Sequence, residues 1–113
     1  MIIRSTEQAL EKRPNMRGGS GTVELKALSP NLPEKMRLFS RIELAPGCSI
    51  GYHVHENETE LFFFASGSGR VCDDGEWFDV TAGDVMSTPN GHGHAVENNG
   101  TEPLVLVAAI VLD

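Results

Sequence analysis

The chain has 113 residues, of which 40% are hydrophobic, and a formal net charge of −7 at pH 7. This length accommodates one domain with a single core and is too short for two. The acidic balance argues against nucleic acid as a partner, because nucleic-acid-binding domains present basic surfaces, and it leaves a small-molecule ligand as the better expectation.

The first segment, residues 1–20, is expected to be an N-terminal arm. It mixes charged residues with Pro14 and shows no sustained hydrophobic period, so we expect it to be partly irregular, with at most a short helical turn within residues 6–13. The body of the domain then occupies about residues 21–112 of a single unit that spans residues 1–113.

Two predicted strands follow the arm. Residues 22–28 and 36–44 alternate apolar and polar side chains, which is the pattern of a half-buried strand. In the second run, Arg37 and Arg41 fall on the face opposite the apolar side chains.

The second half of the chain adds further short strands. Residues 68–72 and 77–80 are strand-like runs on either side of Asp74-Gly75, a strong hairpin signal. Residues 104–112 form a continuous apolar run that predicts a fully buried last strand. About eight to ten short strands without a long helix indicate a sandwich or a barrel.

No segment has the pattern of a membrane span or of a secretion signal. The longest apolar run, residues 104–112, is far below the roughly 20 residues that a membrane helix requires. The N-terminus carries early charges and no apolar signal region. We therefore expect no membrane partner and a cytoplasmic location.

Cys48 and Cys72 fit no Cys-x-x-Cys spacing, so we expect two reduced thiols in or near the core.

The histidines are the candidate functional residues. His53 and His55 are two apart in an extended run, so both imidazoles lie on one strand face, and Glu60 begins a second run that could lie beside the first. Such nitrogen and oxygen donors suit a divalent transition metal. A His-x-His pair on a lone strand is more often a chance pair on a solvated face. However, the other two histidines, His92 and His94, also cluster, in a second stretch.

These two stretches carry two motifs, each matched at every defined position. The first is Gly-x5-His-x-His-x4-Glu-x6-Gly, matched by Gly47, His53, His55, Glu60 and Gly67. The second is Gly-x5-Pro-x-Gly-x2-His-x3-Asn, matched by Gly83, Pro89, Gly91, His94 and Asn98. With these motifs the chain resembles the cupin superfamily. The resemblance implies an all-β fold, a small antiparallel jelly-roll barrel.

The resemblance also implies the metal ligands, which are His53, His55, Glu60 and His94. We expect one divalent transition metal per chain. Four protein ligands would saturate tetrahedral Zn, whereas the same four leave two positions open on Mn, Fe or Ni, which we therefore expect rather than Zn.

Four further residues surround this implied site. Glu56 and Glu58 do not meet the family spacing and are expected to be solvated or to lie at the rim. By strand parity, Phe62 and Phe64 follow Glu60 into the barrel, where they would wall the substrate pocket. Ordinary core packing is the alternative for both.

His92 has no ligand role in the motif. It precedes His94 by two residues on a glycine-flanked turn, where it could act at the barrel mouth as a catalytic general acid or base. An exposed loop histidine is the alternative.

Among cupins, the oxalate decarboxylases use the same four ligands, usually with manganese. In that group an arginine that holds substrate stands three residues after the first motif glycine, where this chain has Ile50. The short segment between the motifs leaves no obvious room for that group's mobile acidic lid. Arg41 cannot be assumed to replace the missing arginine.

Two classes of function therefore remain. One is a metal-dependent enzyme, such as a dioxygenase, decarboxylase or isomerase, that acts on a small carboxylate or another oxygen-rich metabolite. The other is a non-catalytic cupin that binds a sugar, a metabolite or a metal for sensing or storage. For either class we expect a small, anionic ligand and a homodimer in which residues before Gly18 contact the neighbouring chain.

Overall fold

A computed structural model describes all residues from 1 to 113 and consists almost entirely of strands. No helix in it is long and apolar enough to span a membrane. Two short 3-10 turns occupy Ser5–Glu7 and Met16–Gly18. The ten strands are β1 Leu10–Pro14, β2 Thr22–Ala27, β3 Met36–Leu44, β4 Ser49–Val54, β5 Glu58–Ser66, β6 Ser68–Asp73, β7 Glu76–Thr81, β8 Val85–Thr88, β9 Gly93–Glu97 and β10 Leu104–Leu112.

The strands form two antiparallel sheets, as a jelly-roll barrel requires. One has six strands in the order β1-β2-β3-β10-β5-β8, and the other has four in the order β4-β9-β6-β7. Buried side chains from both sheets meet between them, including Leu44 and Phe64 from the first and Ile50 and Val96 from the second. The predicted all-β jelly-roll is confirmed.

The elements with a clear sequence pattern lie where they were predicted. β10 pairs with β3 on one side and β5 on the other, but only its inward-facing side chains are buried. The expected fully buried strand is therefore wrong for the outer face, where Val111 is exposed. The Asp-Gly hairpin joins β6 to β7, and Asp74 and Gly75 both have the positive φ, 49° and 92°, that a type I′ turn needs.

The N-terminal arm is more regular than the sequence predicted. β1 pairs with β2 from Leu10 opposite Lys26 to Pro14 opposite Thr22, and the helical turn covers only Ser5–Glu7. All five residues of β1 are exposed, so an edge strand of this kind has no apolar alternation that could reveal it.

Candidate metal centre

The four implied ligands converge although they come from three strands. His53 lies in β4, His55 directly follows it, Glu60 lies in β5 and His94 lies in β9. His53 and His94 lie opposite each other on the neighbouring strands β4 and β9. One donor atom from each residue lies within 4.8 Å of the others, so this group could hold a metal ion.

Each imidazole is oriented by a hydrogen-bond partner at Nδ1, the nitrogen that points away from the cluster. Carboxylate, carbonyl and hydroxyl groups of this kind fix the ring and its tautomer around metal sites. The pairs are His53 with Gly51 O at 2.8 Å, His55 with Glu58 Oε2 at 2.5 Å and His94 with Thr88 Oγ1 at 2.7 Å.

The spacing of the donor atoms fits a cation at the centre. Glu60 Oε1 lies 2.9 Å from His55 Nε2 and 3.0 Å from His94 Nε2, which in turn lies 3.1 Å from His55 Nε2 and 3.2 Å from His53 Nε2. Bonds of about 2.1 Å place neighbouring donors roughly 3.0 Å apart at right angles and about 3.4 Å apart at tetrahedral angles. Neighbouring donors in this cluster are therefore close enough together to share one cation.

Burial keeps the imidazole of His53 neutral, which is the form that binds a metal. Desolvation lowers the pKa of His53 to about 4, so the imidazole is neutral at pH 7 and its Nε2 lone pair is free. Neutral imidazole is the ligand form, because protonation occupies the same lone pair.

Glu58 supports the cluster, which corrects the expectation of a solvated or rim residue. It is only 8% exposed, and its two oxygens accept hydrogen bonds from Arg37 Nε and Nη2, both at 2.7 Å. The bonds from Arg37 and then from His55 lower the pKa of Glu58 to about 2. Glu58 is thus an anion that holds the Nδ1–H of His55. Glu56 is exposed, as expected.

A β-bulge brings Arg37 to this position. Leu38 pairs with Ile110, but the next pair along is Met36 with Val111, so Arg37 is an extra residue in β3. Strict alternation had placed Arg37 on the outer face. Parity could, however, have found Glu58, because it lies two residues before Glu60 on the buried face of β5.

A small cavity opens at the cluster, with a volume of about 50 Å³. Its apolar wall includes Ile50 and Phe62. Phe62 stacks on the ring of His94 with the ring centroids 4.9 Å apart. Phe64 points inward as parity predicted, but it is fully buried in the core and does not line the cavity.

His92 lies outside the cavity. Its Nδ1 bonds to a carboxylate oxygen of Asp74 in the β6–β7 turn, and its side chain is about half exposed. The hydrogen bond to Asp74 raises the pKa of His92. The catalytic role of His92 stays a prediction, and its position supports the loop alternative.

The N-terminal arm supplies cavity residues that the sequence did not reveal. Arg13, Met16 and Arg17 line the cavity together with Arg37. Arg41 does not line it, and its guanidinium bonds to Glu43 instead. No periodic signal marks the arm residues, because their placement depends on how the turn Met16–Gly18 packs on β4.

Comparisons with known proteins agree with this architecture. The family model of the cupin domain matches residues 40–110. An oxalate-binding protein from Thermotoga maritima is 41% identical over 114 residues, covering 99% of this chain and 94% of that protein. A crystal structure of a predicted oxalate decarboxylase from Thermotoga maritima, also 41% identical, superimposes with a TM-score of 0.93 over the whole of both chains.

The similarity to a larger enzyme covers only part of each chain. Oxalate decarboxylase OxdC from Bacillus subtilis is 38% identical over 71 residues, which cover 58% of this chain but only 18% of that protein. The family match, the near-complete similarity to the Thermotoga proteins and the two intact motifs together place this chain in the cupin family.

Proposed function

We propose that this chain binds one divalent transition metal through His53, His55, Glu60 and His94 and uses it to hold a small dicarboxylate of the oxalate class. The observation that carries the proposal is the convergence of these four donors beside a small cavity, which His53, His55 and Glu60 line. The names attached to the Thermotoga matches, an oxalate-binding protein and a predicted oxalate decarboxylase, support the choice of ligand.

The size of the cavity favours a very small guest. One water needs about 10–15 Å³ on this measure, so about 50 Å³ holds a guest on the order of four waters. A two-carbon dicarboxylate is of that order, whereas a sugar is larger. The cavity therefore supports oxalate over the sugar alternative.

The bound ion would supply a Lewis-acidic centre with adjacent open positions for two carboxylate oxygens. The residues of the chain hold and orient the site. Glu58 fixes the ring of His55, and Phe62 fixes that of His94 and excludes water from one wall. Mn, Fe and Ni suit this site better than Zn, since four protein ligands would saturate tetrahedral Zn and leave no position for the dicarboxylate.

Ligand binding is the proposed activity, and decarboxylation is the second candidate. Among the cavity-lining residues the only carboxyl is that of Glu60, itself a proposed ligand, so no independent acid stands ready to deliver a proton. The names of the predicted decarboxylase and of the Bacillus enzyme favour the second candidate.

Titration calorimetry with oxalate tests this proposal on protein loaded with Mn, Fe or Ni. We expect one metal per chain by elemental analysis and one oxalate per metal, with no binding to the metal-free chain. Glu60→Ala should lose most of the metal because it removes the only anionic ligand. His92→Asn, which alters a histidine outside the cavity, is the matched control and should keep both the metal and the binding of oxalate.

Full metal content in Glu60→Ala would contradict the metal assignment. Failure of the metal-loaded wild type to bind oxalate would contradict the proposed choice of ligand. Release of carbon dioxide from oxalate, measured on the same samples, would promote the decarboxylase candidate.

We also propose that the chain forms a homodimer, and the cytoplasmic location remains a prediction. The outer face of the six-stranded sheet supports a dimer, because large apolar side chains are exposed there, namely Phe39, Leu61, Phe63, Val85 and Val111. Contiguous exposed apolar surface of this kind marks interaction sites.

A further inference from the structure

A dicarboxylate bound to the ion needs one more positive group. A divalent ion with a single carboxylate ligand has a formal charge of about +1, whereas oxalate carries −2. In addition, an oxalate that gives the ion one oxygen from each carboxylate leaves its two other oxygens facing away from the metal. A cationic donor on that side would satisfy both the charge and the hydrogen bonding.

The third position after the first motif glycine, where oxalate decarboxylases have an arginine, cannot supply this group. Ile50 stands there as a buried aliphatic wall residue of the cavity, only 2% exposed. Arg41 is also excluded, because its guanidinium donates to Glu43 and it does not line the cavity.

Three other arginines line the cavity, and two of them already have carboxylate partners. Arg37 forms two hydrogen bonds to Glu58. Arg13 forms two to Glu11, at 2.9 and 3.2 Å. Arg17 forms no salt bridge, so its five N–H donors are the ones available to a guest.

The backbone of Arg17 is held against the strand that carries His53. Arg17 has a φ of 54°, a left-handed conformation that is uncommon for a residue with a side chain. Its carbonyl oxygen packs so closely on β4 that a Cβ added to Gly51 would lie 2.0 Å from it. Such conformations persist only where the surroundings impose them, and they occur often at ligand sites.

We propose that Arg17 binds the outward-facing carboxylate oxygens of the metal-bound dicarboxylate and so selects dicarboxylates over monocarboxylates. This inference rests on the proposed function. A guanidinium presents a planar fork that matches two oxygens, which an ammonium cannot do. The arm therefore takes the place of the arginine that the first motif lacks at Ile50.

The test compares oxalate with acetate, which lacks the second carboxylate, on manganese-loaded Arg17→Asn, since Asn tolerates a positive φ. Affinities come from titration calorimetry, and metal content and thermal midpoint are measured on the same samples. We expect oxalate affinity to fall about 10- to 100-fold, because the lost hydrogen bonds join charged groups. Acetate affinity should change much less, and metal content should stay at one per chain.

Two further variants separate contact from general charge. Arg17→Lys keeps the charge without the fork and should recover only part of the oxalate affinity. Arg4→Asn removes the same charge from the arm at a residue that does not line the cavity, and it should bind oxalate like the wild type.

If Arg17→Asn and the wild type prefer oxalate over acetate equally, the role of Arg17 is overturned and the proposed function is not. An equal loss in Arg4→Asn would also overturn that role, because the effect would then be one of net charge. Failure of the metal-loaded wild type to bind oxalate would overturn the proposed function and this inference with it.

Discussion

At the scale of single residues, the orientation of the proposed ligand His55 depends on a carboxylate outside the four-residue cluster. Glu58 joins His55 to Arg37, so it links a proposed ligand to a guanidinium held by the β3 bulge. The arrangement lets one buried anion position the ring of His55 while Arg37 keeps that anion ionised.

Glu58→Gln is predicted to weaken both metal binding and stability. Metal affinity should fall roughly 10- to 100-fold, as for other outer partners of ligand histidines. In the metal-free protein the bonds from Arg37 and His55 hold the pKa of Glu58 at about 2, below its ordinary value of 4.5. Its stabilising contribution is therefore complete above about pH 4.5 and is lost as pH falls towards about 2.

Urea unfolding of both metal-free proteins checks the stability part. The variant should be less stable by about 2 kcal/mol at pH 7, a value kept small because Arg37 is partly solvated. The difference should shrink between about pH 4.5 and pH 2. A difference that does not change with pH would show that Glu58 acts through packing rather than through its charge.

At the scale of elements, the contact between the arm and β4 decides the shape of the cavity mouth. Gly19 and Gly51 allow two backbones to approach where no side chain fits, because a Cβ on Gly19 would lie 2.1 Å from Ser49 O. Ser20 and Ser49 add two hydrogen bonds, from Ser49 N to Ser20 O and from Ser20 N to Ser49 Oγ. This contact places Arg17 and Met16 beside the cluster.

Gly51→Ala is therefore predicted to displace the arm. The added Cβ would meet the carbonyl of Arg17, and the resulting shift should lower the free energy of unfolding by about 1–3 kcal/mol. Hydrogen exchange at residues 15–21 should accelerate more than exchange in β10. The control is Gly100→Ala, where the nearest atom to a new Cβ is 3.4 Å away. Equal protection of the arm in both variants would contradict this account.

The elements also show how far the sequence could predict this molecule. Half-buried strands such as β2 and β3 can be predicted from their alternation of apolar and polar residues. The four clustered residues were implied by the resemblance of the two motifs to the cupin superfamily. β1 is exposed on both faces and leaves no pattern. The positions of Arg37 and Arg17 could not be predicted, because a bulge and a backbone-to-backbone contact depend on neighbours distant in sequence.

At the scale of the whole molecule, both sheets expose large apolar side chains, and on the six-stranded sheet some of these adjoin one another. The six-stranded sheet carries Phe63 beside Val85 on neighbouring strands, both exposed. Apolar side chains such as these gain free energy when a second surface covers them. We propose this surface as the dimer interface, and a contact through residues before Gly18 stays a prediction.

Light scattering of the chain at micromolar concentration is predicted to give the mass of a dimer. Phe63→Lys should give a monomer, since burying the charge of Lys in the interface costs free energy. The variant should retain its metal, because Phe63 is exposed and does not line the cavity. Trp77→Lys, on the four-stranded sheet, is the matched control and should remain dimeric. A monomeric wild type would contradict the proposed assembly.

The central claim is that one ion, held by His53, His55, Glu60 and His94, presents open positions to a small dicarboxylate. A crystal structure of the manganese-loaded protein with oxalate, with the ion located by anomalous scattering, tests this most directly. The account predicts one six-coordinate ion bonded to these four residues and to two oxalate oxygens. A four-coordinate ion closed to the cavity, or oxalate bound away from the ion, would contradict it.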